Sequence, residues 1–229
     1  SLPIALMGVL TTIYVNLDIV ILGFLVGESE VGLYVAASKI LAVAVIVPNL
    51  LHSVFYPALA EVMDDDVARE RMVENLIRVL AFFGGAVGVA GAVLVPVLLP
   101  LLFGAAYVDA EWALRLLMAN SVFVYLSVAF GTFLLAAHCD KAYTVILGIG
   151  AGLNIGLNFI LIPIYGIEGA AAATLATQIV VWMSVMGVAK KAFNLQFIGI
   201  QIRAFAVGLV ASVPALIMLR AASGDGGAM

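Results

Sequence analysis

Three side chains that carry full charge, Asp18, Lys39 and Arg115, and one imidazole, His52, sit inside stretches of sequence that are otherwise apolar. In hydrocarbon such a charge costs roughly 2.5–3.5 kcal/mol on insertion scales, so it needs a partner or water and marks a functional path by default. Asp18 lies nine positions before Gly27, and Lys39 lies nine positions after Glu30. At about 1.5 Å per residue both fall roughly 13 Å below the turn "GESE". That is near the middle of an apolar core about 30 Å thick. An Asp18–Lys39 ion pair across the first helical hairpin is therefore the expected compensation, either as a fixed pin or as a pair that changes partners during transport. Thr11 and Tyr14 extend Asp18 into a polar stripe at i, i+3, i+7 spacing, and Ser38, Asn49, His52 and Tyr56 share a face on the next helix. Two such stripes on adjacent helices would wall an aqueous cavity. The candidate path residues are thus Asp18, Lys39, Tyr14, Asn49 and His52, joined by Arg115 and Asn120 from a later helix.

Each candidate has a plainer reading. Arg115 lies about one turn inside its span and can snorkel to the surface. Asn120, Asn154, Asn158 and Gln178 suit interhelical hydrogen bonding. His52 titrates in a useful range, yet a single intramembrane imidazole also serves as a simple hydrogen-bonding group. The run "DDD" at 64–66 has an Asp-x-Asp spacing, but it immediately precedes a helical pattern, where acidic residues favour the positive end of the dipole. "HCDK" at 138–141 sits in a tight turn, and the lone Cys139 excludes an intrachain disulfide or a cysteine-type metal site. No nucleophile elbow, phosphate loop or zincin motif occurs. The expectation is a protein that is not an enzyme and needs no cofactor or metal.

The elements that must hold these residues are membrane spans. Of 229 residues, 65% are hydrophobic and 10% charged, and the mean hydropathy is +1.23. A soluble domain carries about 25% charged residues, so lipid is the solvent. No basic stripe exists to meet nucleic acid. With about 20 apolar residues per span, the chain divides into about seven: roughly 2–26, 31–60 with a kink at Pro48, 73–103 distorted near its end by Pro96 and Pro100, 111–137, 142–163, 170–189 and 202–219. A surface linker, 61–72, separates the second from the third. Lys and Arg respect this map. Arg69, Arg71, Arg78, Lys141, Lys190, Lys191 and Arg203 all fall on one side, while the turns "GESE", "GAAYVDAE" and "IYGIEG" contain none. The positive-inside rule makes the first side, and the N-terminus, cytoplasmic. Gly84 with Gly88, and the ladder Gly148, Gly152, Gly156, predict close helix contacts. The chain opens on Ser1 with no signal peptide, which suggests a piece of a longer protein.

Two segments carry a family resemblance. "LDIVILGFLVGESEVGLYVAASKI", residues 17–40, resembles the start of the C-terminal half of bacterial and archaeal oligosaccharide flippases. "GAGLNIGLNFILIPIYGIEGAAAATLATQ", residues 150–178, is similar to that family's most recognisable segment, and "FGAAYVDAEWALRLL" between them fits its pattern. These flippases are the polysaccharide transport branch of the multidrug/oligosaccharidyl-lipid/polysaccharide exporter superfamily. The resemblance implies an all-α bundle in which residues 1–190 form one six-helix lobe and 191–229 a connector, a seventh helix and a tail. It implies a missing N-terminal lobe as partner. It also implies a polyprenyl-diphosphate-linked oligosaccharide as substrate, moved across the cytoplasmic membrane by alternating access. Under that reading Lys39 would meet the diphosphate or an acidic sugar, with Asp18 as its resting partner and Arg115 second. Coupling to a proton or a sodium gradient is left open. The competing readings are a cation-coupled multidrug extruder of the same superfamily, a polysaccharide polymerase or ligase, and a non-transporting scaffold.

Overall fold

The structure is a computed structural model and describes residues 17–193. The first expected span is described from residue 17, so Thr11 and Tyr14 lie outside the described residues, as does the expected seventh helix. Among the described residues the regular structure is entirely helical. Helix α1 covers 17–25, and a turn at Gly27 leads to α2, Glu28–Ala44. Then come α3, Ile46–Glu61, α4, Asp66–Phe103, a short 3-10 turn, Ala105–Ala110, and α5, Glu111–Ala136. The last helical run, Asp140–Phe193, is broken at Gly166 (φ 55°, ψ −130°); its limbs, 140–165 and 167–193, are α6 and α7.

Among the described residues, four runs are long and apolar enough to cross a membrane: Glu28–Glu61, Asp66–Phe103, Ala105–Ala136 and Asp140–Lys191. The last is a hairpin. A Cβ built on Gly169 would collide with the Leu161 carbonyl, and one on Gly150 would meet Val181 at 2.6 Å, contacts that a straight rod could not make. The described limbs therefore match the first six expected spans, with α2 and α3 together forming the second. This is a multi-pass membrane protein.

The break between α2 and α3 has a specific cause. Pro48 has no N–H to give the carbonyl four residues back, and its ring crowds that carbonyl. That residue is Ala44, the last of α2, and Val45 leaves the helical region (φ −93°, ψ 5°). The freed Ala44 carbonyl accepts instead from the Tyr125 hydroxyl on α5 at 2.7 Å. Pro96 and Pro100, by contrast, lie within a helix that continues to Phe103. At its other end α4 starts inside the expected 61–72 linker. Asp65 caps it, accepting from the Val67 and Ala68 amides at 3.0 Å each, so "DDD" is the start of a helix 38 residues long.

Two apolar cores mark the ends of the bundle. One joins Leu59, Val73, Leu76, Phe133, Ala136, Ile146, Val185 and Ala189. The other joins Ile21, Leu22, Tyr34, Val95, Leu99, Leu114, Ile162 and Ala170. Successive limbs therefore run antiparallel, with α5 at the centre. Arg69, Arg71, Lys141, Lys190 and Lys191 all belong to the first end. Gly84 and Gly88 seat α4 on Tyr125 and Val122 of α5, as expected. The Gly152 and Gly156 rungs do not: a Cβ on either would meet nothing within 4 Å, because that face of α6 points out of the described bundle.

Candidate functional site

Asp18 is buried, at 3% exposure, and four helices converge on its carboxylate. Tyr34 of α2 donates its hydroxyl to Oδ2 at 2.9 Å. Thr174 of α7 donates to the same oxygen at 2.6 Å. Asn158 of α6 donates its amide to Oδ1 at 2.7 Å and to Asn154 Oδ1, one turn earlier on α6, at 3.0 Å. Asn158 Oδ1 and Asn154 Nδ2 are buried with no hydrogen-bond partner. Asn158 and Thr174 are 16 positions apart in sequence, and the reversal at Gly166 places both on one carboxylate.

This arrangement corrects the expected ion pair. Asp18 and Lys39 do not pair; Lys39 is exposed on α2, and the α2 residue that reaches Asp18 is Tyr34. Equal depth would not fix direction around a helix. Five residues at 3.6 per turn put Lys39 roughly 140° around α2 from Tyr34. The charge is compensated by three neutral donors, and charge-assisted hydrogen bonds are the stronger kind. Tyr34 and Thr174 were missed as candidates, whereas Asn158, expected as an interhelical hydrogen bonder, is one, to Asp18 of α1. The signal available was the i, i+4 asparagine pair in an apolar helix, since two amides on one face ask for a common polar neighbour.

The other candidates lie apart from this cluster. His52 on α3 bonds Thr132 on α5, Nδ1 to Oγ1, at 2.8 Å. The Thr132 hydroxyl donates to the Val128 carbonyl, so the imidazole donates and its proton sits on Nδ1. Tyr56 stacks near His52 at a ring separation of 5.7 Å, and Asn49 is exposed on the same helix. Arg115 pairs with Glu111 at 2.6 Å and lies 5.1 Å from the Trp112 ring centroid, a local arrangement in the first turn of α5. Asn120 is buried, with its Oδ1 unpartnered. Gln178 bonds Ser127 across α7 and α5 at 2.8 Å, as interhelical glue. His138 (φ 56°) ends α5, with the Cys139 amide reaching back to the Leu134 carbonyl at 2.8 Å, so "HCDK" is a helix cap.

Chemically, the cluster offers one carboxylate surrounded by neutral oxygens from Asn154, Asn158, Tyr34 and Thr174. Hard oxygen donors suit hard cations. No group of three His, Cys, Asp or Glu side chains is placed to hold a metal ion among the described residues. One negative charge matches a monovalent cation or a proton.

Comparison with known proteins places the chain. Residues 1–111 match the family described as polysaccharide biosynthesis protein. The probable flippase AglR of Haloferax volcanii is 32% identical over 172 residues, 72% of this chain and 36% of the relative. The capsular polysaccharide biosynthesis protein CapF of Staphylococcus aureus is 26% identical over 188 residues, 80% of this chain and 47% of the relative. The probable low-salt glycan biosynthesis flippase Agl15 of Haloferax volcanii is 26% identical over 169 residues, covering 70% of this chain and 34% of the relative. The chain thus spans between about a third and a half of the length of these relatives. Among solved structures, a transporter of the MATE family in a bent conformation superposes with a TM-score of 0.74 at 19% identity, covering 94% of this chain and 52% of that one. An outward-facing MATE multidrug resistance transporter gives 0.67, also at 19%. These likenesses establish a MATE-like fold. Family match, named relatives and fold agree, and the chain is a homologue of the oligosaccharide flippases of the polysaccharide transport family.

Proposed function

We propose that this chain is the C-terminal lobe of a flippase that carries a polyprenyl-diphosphate-linked oligosaccharide from the cytoplasmic to the outer leaflet. Asp18 is its ion-coupling point. The observation that carries the reading is the Asp18 carboxylate held by Tyr34, Asn158 and Thr174 in a homologue of named flippases. Such a node joins α1, α2 and both limbs of the α6–α7 hairpin, so a change in its charge alters four helices at once. Alternating access needs a site of this kind near the midplane and a second lobe to rock against. The partner lobe is the N-terminal half that relatives of twice this length accommodate. The coupling ion is a proton or sodium.

The distribution of Lys and Arg supports a cytoplasmic membrane location with the end bearing Arg69, Lys141 and Lys190 inside. Lys39 is the cation available to the diphosphate, and His52, Asn49 and Tyr56 line the same side of the path. A cation-coupled multidrug extruder is the second reading. The fold is shared with such proteins, but the relatives by sequence carry glycan-related names. Nothing in this reading calls for catalysis.

The test uses the protein that carries this chain, reconstituted in liposomes with a fluorescent lipid-linked oligosaccharide and an imposed sodium or pH gradient. Translocation should accelerate with one of the gradients, and Asp18→Asn should abolish that acceleration. Gradient-driven translocation unchanged in Asp18→Asn would overturn Asp18 as the coupling point. A wild type that exports cationic drugs and no glycan would favour the extruder.

A further inference from the structure

Between α2 and α4 runs a groove of about 460 Å³, lined by Lys39, Val43, Val87, Leu98, Leu102 and Met118, among others. Its wall is apolar except for Lys39. It is long: its lining on α4 extends from Val87 to Phe103, roughly 24 Å of helix at 1.5 Å per residue. A volume of 460 Å³ spread over that length leaves a channel about one hydrocarbon chain wide. Lys39 lies nine residues past Glu30, roughly 13 Å below the outer turn, where a cation is not left facing bare hydrocarbon. Among the described residues it has no acidic partner, since Asp18 is held by Tyr34, Asn158 and Thr174.

One class of ligand answers both features: an anion attached to a single long apolar chain. We infer that this groove seats the proximal part of a polyprenyl chain, with the phosphate on Lys39. The inference rests on the flippase reading for the identity of the lipid and goes beyond it in placing the chain within the protein. The tail follows α4 toward Leu102 and Phe103 at the outer end. Met118 supplies an adaptable wall, and the branched side chains Val43, Val87, Leu98 and Leu102 face a methyl-branched chain. A groove of this kind keeps the lipid engaged while the glycan occupies the water-filled side of the lobe.

The experiment is photolabelling of the protein that carries this chain, held in nanodiscs, with a diazirine-bearing polyprenyl monophosphate that has no glycan. The label should fall on peptides spanning 40–44 and 87–103. Val43 and Leu102 are 67% and 58% exposed, so Val43→Trp and Leu102→Trp fill the groove without touching the core. Each should lower labelling by about tenfold, as should Lys39→Gln, the equivalent of about 1.4 kcal/mol in binding. The probe without phosphate should label wild type as weakly as the charged probe labels Lys39→Gln. Equal labelling of the groove-filled variants would overturn the inference, and so would full competition by phosphatidylglycerol at the same concentration, which would make the groove a general anionic-lipid site. Glycan translocation assayed in parallel separates the two proposals. Active wild-type transport with an unlabelled groove overturns this one alone, whereas specific labelling in a protein that moves no glycan overturns the flippase reading alone.

Discussion

At the scale of single residues, the decisive feature is how a lone carboxylate is kept inside a membrane protein without a counter-charge. Asp18 receives Tyr34, Thr174 and Asn158, so its oxygens are occupied by dipoles that a cation or proton can displace or join. A hydrogen bond to a charged group is worth about 1.5–3 kcal/mol. At the proposed coupling point, removing one therefore changes ion dependence and not merely stability. Thr174→Val, which keeps the shape and loses the hydroxyl, should shift the sodium concentration or pH of half-maximal transport by about tenfold or more. Thr174→Ser keeps the hydroxyl and should stay within about twofold of wild type. A gradient titration of both variants checks this, and equal behaviour of Val and Ser would show that the hydroxyl is not used. The sequence made Asp18 conspicuous because a charge in an apolar run is rare. It could not reveal Tyr34 or Thr174, since neither is unusual in a span. Their role arises from rotational phase and from a chain reversal, neither of which residue type encodes.

At the scale of elements, Pro48 shows how one residue type sets two helices and a contact on a third. The kink was legible at Pro48 because proline lacks an N–H; the structure puts the break three residues earlier, at Val45. What was not legible was that the Tyr125 hydroxyl would take over the abandoned carbonyl, 81 residues away in sequence. Interhelical hydrogen bonds in membranes average only about 0.6 kcal/mol, with a maximum near 1.7. A carbonyl left bare in hydrocarbon costs more, so the upper part of that range applies here. Tyr125→Phe should lower stability by about 1–2 kcal/mol. Pro48→Ala restores an N–H near the Ala44 carbonyl, so combined with Tyr125→Phe it should recover part of the loss. A double-mutant cycle measured by thermal unfolding in detergent tests the pairing, and strictly additive effects would refute it. The same scale explains why the hydrophilic 61–72 linker, read with some helical character, is helical from Asp66 onward. Arg69, Glu70, Arg71 and Glu74 look like solvent-facing loop by composition, yet Asp65 caps a helix that carries them out of the apolar core as the first turns of α4.

For the whole molecule, the apolar runs and the placement of Lys and Arg disclosed the antiparallel bundle, because lipid forces both to be regular. The packing faces were only half visible. Gly84 and Gly88 do seat α4 on α5, whereas Gly152 and Gly156 share the same spacing and touch nothing; a small-residue ladder gives permission for contact, not its location. The larger consequence lies at Gly166. A straight helix would hold Asn158 and Thr174 about 24 Å apart, and the reversal there brings both to Asp18. Its backbone (φ 55°, ψ −130°) matches the first central residue of a type II′ turn, which is dominated by glycine. Any Cβ at such a conformation is strained, at about 1–3 kcal/mol. Gly166→Ala should therefore lower the unfolding free energy by that amount and also weaken gradient-driven transport, since the hairpin both closes the bundle and assembles the carboxylate's partners. Gly152→Ala is the control: its Cβ meets open space, and alanine is the better helix former by about 1 kcal/mol, so stability should hold or rise with transport unchanged. If Gly166→Ala proved as benign as Gly152→Ala in both assays, the hairpin would not be what joins the fold to the proposed coupling site.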